Sequence, residues 1–306
     1  MPPSKIPGAT LLRRGGTVLA ETLAPGTTAR TRYQIASVSK QFTAAAVLLL
    51  AQRGALALDD PIGHRLGGCP PAWRDITLHH LLSNSSGLGH WDEYPLIDLH
   101  RRVEPGELLA SFHEVPPLFA PGARFHYSSP GFVLLAHVVA EAAGTAYHKA
   151  LAEMIFTPLG MADTFAGEPG DRADLAVGRD ASGEPVSPYE LDVVAMGAGD
   201  IWSTTGDLLR WVDALGSGRL LDERRRRLMH TAHTPTGGGP DAAGYGYGLF
   251  TGTVGGTPWF HHDGGNAGFR SFLAWVPERD VRIVVLSDSE ATGAGDLEPL
   301  LATALS

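Results

Sequence analysis

The sequence predicts an α+β fold. Three observations carry this: strand-like segments lie at both ends of the chain, helical segments fill the middle, and 43% of the 306 residues are hydrophobic, ample for a large core. One antiparallel sheet is expected to draw on both termini, flanked by helices. No linker or internal repeat interrupts it. The chain is therefore read as a single domain over 1–306, with an α/β lobe at about 1–60 and 240–306 and a mainly helical lobe at about 61–239.

The elements follow in order. A hairpin is expected over 10–21: Leu11-Leu12, a turn at Arg13-Arg14-Gly15-Gly16, then Thr17-Val18-Leu19-Ala20. After Pro25-Gly26, the apolar run 44–51, closed by Gly54, predicts a helix to about 53 with Ser37 in its first turn. Residues 76–82 read as a short amphipathic helix ended by Ser85-Ser86-Gly87. Residues 88–122 are mixed, with Trp91, Tyr94 and Pro95 in a surface loop and a helix near 105–112. Helices are expected over 131–141, stopped by Gly144, over 147–156, stopped by Pro158-Leu159-Gly160, and over 205–215. From Gly244 onward the pattern is strand-like: 245–250, 259–262, 271–276 and 281–286, with a turn at Pro277-Glu278-Arg279-Asp280 and a closing helix over 297–305.

Composition removes several function classes. A net charge of -9 argues against nucleic acid, because phosphate binding needs a basic face, and the short run 224–227 reads as a solvated helix face. Met1-Pro2-Pro3-Ser4-Lys5-Ile6-Pro7 has no apolar core of a secretory signal, and the longest apolar run is too short to span a bilayer. The lone Cys69 fits a reducing compartment. A soluble, cytoplasmic protein without a membrane or nucleic-acid partner is expected; its oligomeric state is not readable. None of the 13 histidines has metal-ligand spacing, so no metal is expected, and His79, His80, His230 and His233 read as surface or packing residues. No glycine-rich nucleotide loop appears, and none of these patterns implies a cofactor. Gly-x-Ser-x-Gly is absent as well.

Chemistry enters at Ser37-Val38-Ser39-Lys40. Positions i and i+3 share a helix face, so Ser37 and Lys40 can meet. A serine hydroxyl needs a base to become a nucleophile, and a lysine serves once burial lowers its pKa from about 10.4. Such a match arises about once by chance in a chain this long. Lysine, however, stands only at positions 5, 40 and 149, and only Lys40 has a serine three residues before it. A lysine kept where arginine is the default points to chemistry that needs a removable proton.

Two further motifs join it: Phe125-His126-Tyr127-Ser128-Ser129-Pro130-Gly131, where a tyrosine precedes a helix, and His262-Asp263-Gly264-Gly265-Asn266-Ala267-Gly268-Phe269 at a strand edge. In order and spacing the three resemble the serine β-lactamase and penicillin-binding-protein superfamily, most of all its class C-like branch of esterases, D-amino-acid peptidases and DD-peptidases. Supporting stretches are 76–88, Ile155-Phe156-Thr157-Pro158-Leu159-Gly160-Met161 and 199–208, so the resemblance covers about 9–290. It implies that Ser37 accepts the acyl group, that Lys40 shares its proton, and that Tyr127, its pKa lowered by the neighbouring Lys40 cation, relays the proton to the leaving group. It also implies an oxyanion hole made of the Ser37 and Gly265 N–H groups, with His262, Gly264 and Ser129 lining the substrate site.

Two departures bear on substrate. Ser129 stands where the tyrosine motif usually has Asn, and His262-Asp263-Gly264 replaces the usual Lys-Thr-Gly. A neutral histidine beside an aspartate is a poor seat for a carboxylate. The expected function is hydrolysis of a small-molecule ester or amide through an acyl-Ser37 intermediate, esterase-like or D-amino-acid amidase-like. The alternatives are an acyltransferase using the same intermediate, a β-lactamase or DD-peptidase, and an inactive ligand-binding relative. Trp91, Tyr94, Tyr245 and Tyr247 are candidate pocket walls.

Overall fold

The computed structural model describes residues 6–94, 105–186 and 196–305; Pro95 lies outside them. Eleven strands and nine α-helices are present among the described residues. The first hairpin pairs β1 (Gly8–Arg14) with β2 (Thr17–Leu23). The turn is shorter than expected. Arg13 and Arg14 belong to β1 because each has a partner there. Arg13 faces Arg282 across the ladder, and the carboxylate of Asp213 takes both guanidiniums, relieving the like-charge pair.

The short strand β3 (Tyr33–Gln34) leads into α1 (Ser39–Gln52). Then come α2 (Leu78–Leu82), α3 (Pro105–His113), α4 (Ser129–Ala143), α5 (Tyr147–Leu151) and α6 (Thr157–Leu159). The helix expected over 147–156 is interrupted: after Leu151 the backbone widens into a π-turn, Ala152–Phe156, before α6. β4 (Phe165–Ala166) and β5 (Ile201–Ser203) pair with each other, and β5 also pairs with β3, in a three-stranded sheet. α7 (Thr205–Ser217) and α8 (Glu223–His230) follow.

The remaining strands are β6 (Thr234–Pro235), β7 (Gly244–Tyr245), β8 (Phe250–Val254), β9 (Thr257–Asn266), β10 (Phe269–Val276) and β11 (Val281–Ser287), with α9 (Ala294–Leu305) last. The large antiparallel sheet runs β2-β1-β11-β10-β9-β8-β7-β6, so the first strand pairs beside the last, Gly8 opposite Ser287. This is the α+β sheet drawn from both termini that the sequence predicts.

Period-two burial splits the sheet's side chains into two cores. Leu12, Trp259, Phe272, Ala274, Val276, Ile283 and Val285 meet Leu300 and Ala304 of α9 on one face. Leu273, Val284 and Leu286 join the larger core on the other. In that second layer α1 is buried from Ser39 to Leu50, as an apolar-all-round helix must be. Phe42 stacks on Trp211 of α7 at 4.1 Å, and Trp211 Nε1–H donates to Gln41 Oε1 at 2.9 Å. Any charge on α1 therefore starts far from water.

Tyr94, expected on a surface loop, is only 2% exposed and packs on Phe112 of α3 at 5.2 Å. His230 lies on Phe260 at 4.5 Å and His233 on Tyr247 at 4.1 Å, so both are packing residues. No helix among the described residues is long and apolar enough to cross a membrane.

Candidate active site

Ser37 sits in a tight 3₁₀ turn, Ala36–Val38, just before α1, not inside the helix. Ala36 has φ 46°, a left-handed conformation that costs a non-glycine residue about 1–3 kcal/mol unless its surroundings impose it. They do. β3 fixes the entry, Ile35 N–H donates to Ile201 O at 2.9 Å, and Ser271 Oγ on β10 donates to Ile35 O at 2.7 Å. The turn leaves Ser37 half-buried, while its neighbours on both sides are fully covered.

Lys40 lies one turn on. Its side chain is 0% exposed, and Nζ stands 3.0 Å from Ser37 Oγ and 2.8 Å from Ala198 O. Burial pulls its pKa down to about 7, with the Asp263 carboxylate pulling weakly the other way. Around neutral pH a large share of Lys40 is thus free amine beside the serine hydroxyl.

Tyr127 arrives from the start of α4, which Ser128 caps by accepting Gly131 N–H at 3.1 Å. Asn84, just past α2, clamps both sides of the tyrosine. Its carbonyl accepts His126 N–H at 2.8 Å and its Oδ1 accepts Ser128 N–H at 3.0 Å. The Tyr127 hydroxyl shares a hydrogen bond with the Ser37 side chain, and Lys40 Nζ lies 5.0 Å from the ring centre. The expectation of a lowered tyrosine pKa is overturned: burial raises it well above 10, and the Asp263 charge adds to that. The lysine cation that was to lower it is itself partly discharged around neutral pH. Lys40 is the group able to take a proton at neutral pH, and Tyr127 the group that keeps one.

β9 supplies the opposite wall. Its ladder with β8 begins at His261, so 263–266 runs on with β10 as its only ladder partner among the described residues. The other edge of this stretch faces the Ser37 turn. A Cβ on Gly264 would stand 2.5 Å from Ile35 O and 2.4 Å from Ser271 Oγ, so the strand and the turn touch backbone to backbone. Gly265, the next residue, is exposed.

His262 is 1% exposed and pushed down to about 4 by burial, hence neutral. Its ring nitrogens are engaged within the protein: Nδ1–H donates to Asp263 O at 2.5 Å, and Nε2 faces the Tyr245 hydroxyl at 3.2 Å. Ser129 is likewise buried, its N–H donating to His90 Nδ1 at 3.2 Å. Asp263 is exposed. Arg270 lies across Gly265, with Nη1 donating to Asn266 O at 2.9 Å and Phe269 O at 2.8 Å.

Three residues at the site carried no assigned role in the sequence. His90 meets the Tyr127 ring edge-on at 5.4 Å, and burial pushes it down to about 4. Asn84 clamps Tyr127. Asp200 sits in the Gly-Ala-Gly-Asp stretch whose carbonyl meets Lys40. A lone carboxylate in an otherwise uncharged stretch was the available signal for Asp200. His90 and Asn84 offered none, because only the fold brings them to Tyr127. Of the aromatic wall candidates, Tyr245 and Tyr247 are buried and only Trp91 is half-buried.

Known proteins share this arrangement of chain. The family model described as Beta-lactamase matches residues 3–305. A β-lactamase from Pseudomonas fluorescens is 30% identical over 210 residues, which are 68% of this chain and 57% of that protein. Esterase EstB from Burkholderia gladioli is 38% identical over 150 residues, 44% of this chain and 38% of its own length. The crystal structure of D-amino acid amidase from Ochrobactrum anthropi SV3 superposes with a TM-score of 0.82 at 25% identity, covering 97% of this chain and 95% of that one. The chain thus spans little more than half the length of the Pseudomonas relative.

Proposed function

The chain belongs to the Beta-lactamase family, and from that premise we propose that it is a serine hydrolase cleaving a small ester or amide through an acyl-Ser37 intermediate, in the manner of an esterase or a D-amino-acid amidase. One observation carries the reading. The hydroxyl of a half-buried serine is hydrogen-bonded both to a buried amine that is substantially neutral near pH 7 and to a tyrosine that stays protonated.

In this scheme neutral Lys40 takes the Ser37 proton as Oγ bonds to the substrate carbonyl carbon. Negative charge moves to the carbonyl oxygen, which the N–H groups of Ser37 and Gly265 receive; a donor of this kind contributes about 3 kcal/mol because the charge appears only in the transition state. As the carbonyl re-forms, the bond to the leaving group breaks. Tyr127 gives its proton to the departing oxygen or nitrogen and is reprotonated by Lys40. Water then attacks the acyl carbon by the same route, leaving acid and free Ser37.

Charge around the oxyanion strand selects the substrate. Asp263, two residues before Gly265 on β9, is exposed, and neutral His262 supplies no cation. Neutral or amine-bearing substrates are therefore favoured over anionic β-lactams. Arg270 is the opposing charge, although its Nη1 is held on the carbonyls of its own hairpin. The lone free Cys69 fits a reducing compartment, which supports a cytoplasmic site of action.

Comparison of kcat/KM for a short-chain p-nitrophenyl ester, a D-amino-acid amide and nitrocefin tests the reading. The ester or amide is expected to be the better substrate. A preference for nitrocefin that disappears in Arg270→Ala would make Arg270 the anion anchor and overturn the assignment.

A further inference from the structure

The segment 197–201 touches the site at five points. Gly197 O accepts from Thr43 Oγ1 at 2.6 Å, Ala198 O from Lys40 Nζ at 2.8 Å, and Gly199 O from Asn266 Nδ2 at 2.9 Å. Ile201 O accepts Ile35 N–H at 2.9 Å, and Ile201 N–H donates to Ser39 Oγ at 3.2 Å. Three consecutive carbonyls thus hold the body of α1, the lysine, and the tip of the β9–β10 hairpin.

One side chain closes this turn. Asp200 is 1% exposed, and its Oδ1 accepts Gly197 N–H at 2.9 Å. The turn has little freedom behind it. Gly197 has φ 78°, and a Cβ there would lie 2.6 Å from Ala136 Cβ and 2.7 Å from Phe132 O on α4. A hydrogen bond from a backbone N–H to a carboxylate is roughly twice as strong as one to a neutral acceptor, so the Asp200 carboxylate, gripping a turn whose Gly197 lies against α4, sets the pitch of the carbonyl row.

We propose that Asp200 is a positioning residue: by gripping Gly197 N–H it aims the Gly197, Ala198 and Gly199 carbonyls so that Lys40 Nζ is held on Ser37 Oγ and the Gly265 strand is held beside it. This rests on the assignment of Lys40 as the base for Ser37. Asp200 reaches no substrate itself; it acts through the Ala198 carbonyl.

Protonation supports the geometry. Burial pushes Asp200 up to about 7, against hydrogen bonds from Gly197 N–H and from its own N–H. The titratable neighbour facing it is the Tyr147 hydroxyl of α5, itself bonded to Thr43 at 2.7 Å. Lys40 in turn faces Asp263 and His262 of β9, Tyr127 ahead of α4, and His90. Lys40 and Asp200 must then each lose a proton, in the same pH range, before the site is ready.

The test is the rate at which a serine-directed fluorophosphonate labels Ser37, followed from pH 5 to pH 9. In the wild-type protein the logarithm of the rate is expected to fall below pH 7 with a limiting slope of two. Asp200→Asn keeps an acceptor oxygen and loses the charge. It is expected to label about tenfold or more slowly at pH 8, with the acid slope reduced to one. A wild-type slope of one overturns the proposal even should the variant not fold, and so does an Asp200→Asn protein that labels at the wild-type rate. Wild-type protein that takes no label on Ser37 overturns the catalytic reading itself, an outcome distinct from both.

Discussion

Lys40 is where residue type and environment meet. It could be singled out because lysine is scarce in this chain and Lys40 alone has a serine three residues before it. Its pKa of about 7 was not legible, because it comes from burial on a helix covered all round from Ser39 to Leu50. The same blindness reversed the tyrosine: the family resemblance implied a cation near Tyr127 but not the loss of water around both groups. Lys40→Arg keeps the charge and cannot act as a base, so it should lose as much acylation rate as Lys40→Ala, on the order of 10³-fold. Near wild-type acylation in the Arg variant, measured by stopped-flow release of p-nitrophenol, would contradict the role. Tyr127→Phe removes one hydroxyl and should lower kcat by about 10²-fold or more with an unchanged circular dichroism spectrum; an unchanged kcat would end the relay assignment.

Among the elements, most helices and strands could be read from periodicity, and two of the motifs stand where the sequence put them, ahead of a helix and on a strand, whereas Ser37 lies in a 3₁₀ turn before α1 and not in its first turn. Register could not be read. That β9 outruns β8 and turns its edge to the Ser37 turn depends on pairings between segments far apart in sequence. The same holds for Arg13, which reads as a turn residue until Asp213 and Arg282 are brought to it. The contact between β9 and the Ser37 turn gives a prediction. Gly264→Ala would put a methyl group within 2.5 Å of Ile35 O, so the strand must back away and take Gly265 with it. A displacement of about 1 Å at an oxyanion donor costs roughly 10²-fold. The expected result is a kcat reduced by that order while the protein remains folded and cooperative in thermal melts. Wild-type kcat in Gly264→Ala would mean that the edge of β9 is not the oxyanion wall.

For the molecule as a whole, the buried histidines set the response to acid. His90, His230 and His262 are each pushed down to about 4 by burial, from an ordinary value of 6.5. Between these values the unfolded chain binds protons that the native protein refuses, so stability rises with pH across the window and is lost as pH falls through it. Asp200 runs the other way. Its pKa, raised from 3.8 to about 7, lets the native state keep a proton the unfolded chain releases, so it contributes stability that is lost as pH rises toward 7. Three histidines against one aspartate leave the histidines in control. The melting temperature is expected to fall by about 5 °C or more between pH 7 and pH 5, and further in Asp200→Asn. A protein more stable at pH 5 than at pH 7 would mean that these rings are not buried neutral. None of this was visible in a count of 13 histidines, since burial decides which of them titrate.

The central claim is that Ser37 carries the acyl group. Rapid quenching of the protein with a p-nitrophenyl ester, followed by intact mass and peptide mapping, tests it most directly. One added acyl group on the peptide holding Ser37, absent in Ser37→Ala, is the predicted result. An acyl adduct on another residue, or one that persists in Ser37→Ala, would contradict it.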